Sequence, residues 1–469
     1  MSRKADGAAP ALPFLEPRFS PVVHAVARLL SPLYLRFGEG VSRVEVEGVT
    51  TLVEEYHRFR RGESRLVVPF RHPSASDAAV VGYLFGRRLP ELARREGRPI
   101  RGPAFVHFLY GRGVPLWAGP PTGWLLPRLG AIPVYHQRID SRGMRAVREA
   151  LKVGRFPVAL APEGQVTYYN KKVGELELGT GRIALWGTED LRAPGETTEV
   201  RILPISLEYR YGPGAGASLD KALRWIEEQT GIAAGSDHRR PGPEIYRALL
   251  RMTEALLDFL DRLYAPFLRI RGATEPERRS ATGAHRPTGW AESLTVRVTA
   301  TCEAVLRAGE AVHNLSEEGP LLKRVLRLRD AGWRRMYRDD LEELRPAERV
   351  FADTLAKQAH DAKLHMEVAD ALEYLDPCYI APEGPFERFL EYALTVQDVV
   401  NRLGGGTIAS RMRPSGRVAI VTVGDPRGVT NLTGAGEIGA SGRRAAAQVN
   451  EYIRSEFQRL IRVGGDKTG

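Results

Sequence analysis

Between residues 43 and 210, short apolar runs alternate with stretches of helical periodicity, and this alternation restricts the fold more than any other feature of the chain. The runs are Val44 to Val46, Leu66 to Phe70, Ala104 to Phe108, Ile132 to Tyr135, Val158 to Ala161 and Ile202 to Tyr209. Strands spaced by helices in this way predict an α/β domain with a mixed, largely parallel sheet flanked by helices. The pattern breaks at Gly212-Pro213-Gly214-Ala215-Gly216-Ala217. Helical periodicity returns near Leu219 to Gln229 and Glu244 to Leu268, and then runs almost throughout Leu294 to Leu403. There Leu321, Val325, Leu328, Trp333, Met336 and Tyr337 fall on expected buried faces. After Gly404-Gly405-Gly406 come one strand, Val418 to Val423, and a last helix near Arg443 to Ile461.

At 469 residues the chain has room for two or three domains. The expected divisions are an N-terminal tail and amphipathic helical segment at 1–40, the α/β domain at 41–270, a polar linker at 271–290, and a mainly helical C-terminal domain with a short strand and final helix at 291–469. Lysine and arginine total 68 against 57 acidic residues, a formal charge of +11 that favours anionic partners. Membrane surfaces, phosphorylated substrates, coenzyme A, acidic carrier proteins and nucleic acid all satisfy that. Two cysteines, Cys302 and Cys378, exclude a disulfide framework and fit a reducing, cytoplasmic setting. No run of 18 or more apolar residues occurs, so no membrane-spanning helix is expected. Ser20 to Phe37 is apolar but interrupted by Arg28, Pro32 and Arg36, a pattern that serves either an interfacial segment or an ordinary pair of core-packing helices.

Directly after the run Leu66 to Phe70 stands His72-Pro73-Ser74-Ala75-Ser76-Asp77. A neutral imidazole can accept a proton from a hydroxyl near neutral pH, and a nearby carboxylate can hold the ring and stabilise its charged form. Residues five apart on one helix point about 140° apart, so the pair should straddle a loop-to-helix junction. Ser74 to Asp77 also reads as a capping box opening a helix at Ala78 to Phe85, which is a purely structural reason for the same residues.

Three further segments follow in order: Gly130-Ala131-Ile132-Pro133-Val134-Tyr135 leading to Arg138, then Ala161-Pro162-Glu163-Gly164, then Ile202-Leu203-Pro204-Ile205. With the histidine block, these resemble the four blocks of the glycerolipid acyltransferase family of the lysophosphatidic acid acyltransferase type. The resemblance covers roughly residues 40 to 215 and includes Gly179, Thr180, Gly181, Ile183 and Ala184 as a Gly-rich helix start. It implies that His72 is a general base on an acceptor hydroxyl and that Asp77 orients it. It further implies that Arg138, Glu163 and Gly164 hold the acceptor, Arg138 through its phosphate. No covalent acyl-enzyme, cofactor or metal is implied, and acyl-CoA or an acylated carrier protein is the co-substrate. The expected partners are that donor, a lysophospholipid or glycerolipid acceptor and an anionic membrane surface, with no nucleic acid; the expected location is cytoplasmic and peripheral to the membrane.

The sequence departs from the family in the third block, where Ala161 replaces the usual phenylalanine and Gln165 and Val166 replace a threonine and an arginine. Losing that arginine leaves open a non-phosphate acceptor, with Lys171 and Lys172 as alternative sources of charge. An inactive lipid-binding or scaffolding protein is the other alternative. Ala381-Pro382-Glu383-Gly384 repeats the third-block tetrapeptide without a preceding strand and reads as a plain turn. Gly434-Ala435-Gly436-Glu437-Ile438-Gly439 matches a dinucleotide fingerprint in letters but lacks the adjoining strand and helix. His360 and His365 lack metal-ligand spacing, and the Arg-rich stretch Lys323 to Arg338 reads as a packed helix with a solvated basic face.

Overall fold

The computed structural model describes residues 7–135, 140–191, 198–233, 242–269, 289–433 and 442–465. Arg138, nearly all of the expected linker at 271–290 and the Gly434 to Gly439 run lie outside them. The chain divides into two compact units, Phe14–Pro213 with Arg413–Gly469, and Met1–Pro13 with Gly214–Met412.

The first unit is α/β. Its strands are β1 (Val41–Glu47), β2 (Ser64–Pro69), β3 (His107–Gly111), β4 (Ile132–Val134), β5 (Val158–Leu160), β6 (Glu199–Ile202), β7 (Ile205–Arg210), β8 (Arg417–Val423) and β9 (Arg427–Gly428). Six of them form one sheet in the order β9-β6-β2-β5-β3-β4, parallel from β6 to β4 with β9 antiparallel at the edge. A second sheet has the order β1-β8-β7, with β8 parallel to β1 and antiparallel to β7.

Successive residues of a strand face opposite sides of its sheet. Leu66, Val68 and Phe70 accordingly pack with Leu52, Tyr56 and Phe85, whereas Val67 packs with Val147, Leu151, Ile183 and Phe457. Both faces of β2 are therefore buried, which is why this strand reads as a continuous apolar run. One face is covered by α2 (Val49–Arg60) and α3 (Asp77–Tyr83) among others, with α1 (Pro21–Leu33) packed on α3, and the other face by α4 (Ser141–Val153), α5 (Gly179–Asp190) and the final helix Gly442–Gly465.

Three expectations need correction. The single run Ile202 to Tyr209 is two strands in different sheets, because Pro204 carries no N–H for a ladder; Leu203 still donates to Val67 O at 2.9 Å and Gly424 donates to Pro204 O at 2.8 Å. The third strand begins at His107, with buried Ala104 to Val106 leading into it. The boundaries also fall elsewhere than 41–270 and 291–469. The C-terminal strand pairs along its whole length with β1 and β7, and its alternating burial supplies Ala419, Val421 and Val423 to the α/β core.

The second unit is mainly helical, with one short parallel pair formed by Ala9–Pro10 and Tyr337–Arg338. Helices Ala215–Thr230 and Pro243–Arg269 belong to it and pack on Phe386–Leu403 and Trp290–His313, respectively. Pro346–Leu372 packs on three others, Trp290–His313, Leu321–Met336 and Phe386–Leu403. Val325, Leu328 and Met336 are buried as their spacing predicts, while Leu321, Trp333 and Tyr337 are half-buried. Buried charge here is paired: Arg402 bonds to Asp398 at 3.3 Å and to Glu367, and Arg324 bonds to both oxygens of Glu310 at 3.0 and 2.7 Å.

Candidate active site

Parallel strands of the six-stranded sheet end on one side, and loops from those ends build the site. After β2 the chain passes through Phe70 and Arg71 to His72, and α3 begins at Asp77. His72 Nδ1 lies 2.9 Å from Asp77 Oδ2, with the histidine side chain 19 % exposed and the aspartate fully buried. The expected junction between strand and helix is therefore what brings these two residues together.

Asp77 receives donors on both oxygens. Oδ2 also accepts the Ser74 N–H at 2.8 Å, and Oδ1 accepts the Tyr209 hydroxyl. Burial first, and then the Asp77 charge, push the Tyr209 phenol well above its ordinary range, so it stays protonated and donates. A carboxylate that only accepts places the proton of a neutral His72 on Nδ1. Nε2 is then the nitrogen available to a substrate.

The capping box is only half formed. Asp77 accepts the Ser74 amide, but the Ser74 hydroxyl accepts the Ser76 N–H at 3.2 Å and an arginine from far along the chain. That arginine is Arg417, at the start of β8. It donates to Ser74 Oγ at 3.1 Å, to Ser76 Oγ at 2.9 Å and to Glu39 O at 2.6 Å, and its guanidinium lies 4.7 Å from the centre of the Tyr209 ring. The Glu39 carboxylate accepts Ser76 Oγ–H at 2.8 Å, Arg413 at 3.0 Å and the Tyr34 hydroxyl at 2.6 Å.

Glu163 follows β5 and is buried. Its Oε2 accepts the His72 backbone N–H at 2.7 Å, and its Oε1 accepts the Gly174 N–H at 2.8 Å. From the other side, Thr167 N–H donates to His72 O at 2.8 Å. Glu163 thus clamps the backbone of His72 in concert with Thr167, and its carboxylate faces inward. Burial raises the Glu163 carboxyl above its usual range, opposed by the charge of Arg71 and by the two amides. Arg71 is itself fully buried and donates to Leu207 O, Tyr169 O and Lys172 O at 3.2, 3.1 and 2.8 Å.

Gly164 has φ +73°, and a Cβ there would come 2.6 Å from Glu177 Oε1, so the turn after β5 requires glycine. Gly164 N–H closes that turn on Ala161 O at 3.1 Å. Val166, where the family that the sequence resembles has an arginine, is buried. Lys171 is bound to Glu208 at 2.6 Å, and Arg138 lies outside the described residues.

Sequence reasoning missed Tyr209, Arg417, Thr167 and Glu39. One signal existed for Arg417: it occupies a buried phase of a strand whose alternate residues are otherwise apolar, where an unpaired arginine would be costly. Tyr209 likewise ends an apolar run as its one residue with a hydroxyl on a ring. Among the described residues no group of three or more His, Cys, Asp or Glu side chains is arranged to hold a metal ion. No family model matches the chain, and a search of curated proteins finds no match.

Proposed function

We propose that the chain is an O-acyltransferase working at a membrane surface. It moves a fatty acyl group from a thioester, acyl-CoA or an acylated carrier protein, to the hydroxyl of a lysophospholipid or related glycerolipid. The observation that carries this reading is the 2.9 Å contact between His72 Nδ1 and a buried Asp77, which leaves Nε2 free for a hydroxyl proton. Nε2 takes that proton while the acceptor oxygen attacks the thioester carbonyl. The C–S bond then breaks, and the imidazolium returns the proton to the departing thiolate. Asp77 orients the ring and stabilises the imidazolium.

Membrane contact is supported by the N-terminal segment. Ser20 caps α1, and Val22, Leu29 and Phe37 are 73 %, 69 % and 78 % exposed, with Val26, Leu30, Leu33 and Tyr34 exposed beside them. Pro120–Arg128 adjoins it, Arg18 and Ser20 donating to Pro127 O and Arg128 O at 2.8 Å each. On that helix and the short one before it, Leu116, Trp117 and Trp124 are also exposed. Tryptophan at an apolar face suits the boundary between headgroups and acyl chains. No described helix is long and apolar enough to cross a membrane.

A non-phosphate acceptor is favoured by two observations, the buried Val166 in place of arginine and the engagement of Lys171 with Glu208. Purified protein offered phosphorylated and unphosphorylated acceptors separates the two readings. His72→Ala is expected to slow transfer by roughly 10²- to 10⁴-fold, the usual contribution of a general base. A folded His72→Ala protein that transfers at the native rate would falsify the proposal. Phe37→Ser with Leu29→Ser is expected to weaken sedimentation with anionic vesicles without lowering transfer to a detergent-dispersed acceptor.

A further inference from the structure

We propose that Tyr209 and Arg417 are positioning residues that hold Asp77 and its turn in one arrangement, so that His72 presents Nε2 in a constant direction. For transfer rates this rests on the acyltransferase reading; for the state of the imidazole it stands on the geometry alone. Asp77 is fully buried and has one unshared oxygen beyond its contacts with His72 and Ser74, and Tyr209 occupies it. Without that donor the carboxylate could rotate about its last torsion, which is intrinsically soft.

Arg417 performs the matching task for the backbone turn. One guanidinium spans Ser74 Oγ, Ser76 Oγ and Glu39 O, and it lies over the Tyr209 ring, 4.7 Å from its centre. A planar fork can serve three acceptors at fixed angles, which a lysine ammonium cannot reproduce. The arrangement joins two strands, one turn and one loop: Ser74 from the turn before α3 with Asp77 at the start of α3, Tyr209 from β7, Arg417 from β8 and, through Glu163, the loop after β5. The charged groups around the imidazole and its orienter are thus Asp77, Glu163 with Arg71, Arg417, and Glu39 with Arg413. The strand carrying Arg417 belongs to the C-terminal segment, so that segment completes the site.

The sign of the electrostatic effect follows. The Tyr209 hydroxyl neutralises part of the Asp77 charge, and Arg417 opposes a second positive charge nearby. Removing either strengthens the preference for imidazolium, so His72 should take up its proton at higher pH. The test uses the full chain with ¹⁵N-labelled histidine, followed by NMR titration of His72, together with kcat and KM across pH. Tyr209→Phe is expected to move the His72 titration and the acid limb of kcat/KM to higher pH. It should lower kcat by roughly 10- to 100-fold, as a misdirected base does, with KM little changed. Arg417→Lys keeps the charge but not the fork; kcat is expected to fall while the titration stays near that of the parent.

A folded Tyr209→Phe protein with unmoved titration and unmoved kcat overturns the proposal. If Tyr209→Phe fails to fold, Arg417→Lys decides alone, and an unchanged kcat overturns it. A shifted titration in a chain without acyl transfer upholds the positioning role and sinks the acyltransferase reading. An unshifted titration together with an unmoved kcat in an active chain does the reverse.

Discussion

The tetrapeptide Ala-Pro-Glu-Gly occurs twice, at 161–164 and at 381–384, and at both places the glycine N–H closes a turn on the alanine carbonyl, although only Gly164 takes a positive φ. Gly164 N–H reaches Ala161 O at 3.1 Å, and Gly384 N–H reaches Ala381 O at 2.9 Å. The glutamates differ completely. Glu163 is buried and accepts two backbone amides, one of them that of His72, whereas Glu383 is exposed. Four residues are enough to specify a turn, because proline presets φ and glycine relieves the crowding. They do not specify whether its carboxylate has a task. The preceding strand does, by delivering the turn against another strand end.

The contrast is open to direct attack. Glu163→Ala leaves two buried amide donors without acceptors, at about 1–3 kcal/mol each, and releases the His72 backbone. A large drop in melting temperature and at least a tenfold loss of transfer are expected, whereas Glu383→Ala should stay within about 0.5 kcal/mol of the parent. Equal effects from the two substitutions would erase the distinction. Gly164→Ala comes next. A positive φ and a Cβ 2.6 Å from Glu177 Oε1 predict a loss of about 1–3 kcal/mol in chemical denaturation.

The smallest expected effect separates the two units by the sign of their pH dependence. The raised Glu163 carboxyl binds its proton more tightly folded than unfolded, so its contribution is greatest below the ordinary glutamate range and is lost as pH rises through the raised value. In the helical unit, burial and then Arg335 hold His313 down to about 4. Its contribution is present above the ordinary histidine value and is lost as pH falls towards 4. Glu163→Gln should remove the first slope and His313→Leu the second, read as stability against pH between 4 and 7. Parallel slopes in both variants and the parent would show that neither group is linked to folding.

Much of the fold was legible. β2, β4 and β5 follow apolar runs closely, and Trp290–His313, Leu321–Met336, Pro346–Leu372 and Phe386–Leu403 follow helical spacing. Less was legible where a break depended on one backbone donor, as at Pro204, or where an isolated strand had to find its sheet, as with β8. In the site, His72 and Asp77 were readable because they share one turn, and Glu163 because a motif marked it. Its task as a backbone clamp was not readable, since nothing in Pro-Glu-Gly shows what the carboxylate meets.

The sequence by itself determined the elements and the His72–Asp77 spacing, because helix and strand periods and a five-residue turn are set by neighbours along the chain. Only the tertiary structure decided that Tyr209 would meet Asp77 from 132 positions away and that Arg417 would meet Ser74 from 343. The physical reason is that a buried carboxylate or guanidinium must be satisfied by whatever polar atoms sheet pairing brings alongside it. Pairings over such distances leave no local period to read.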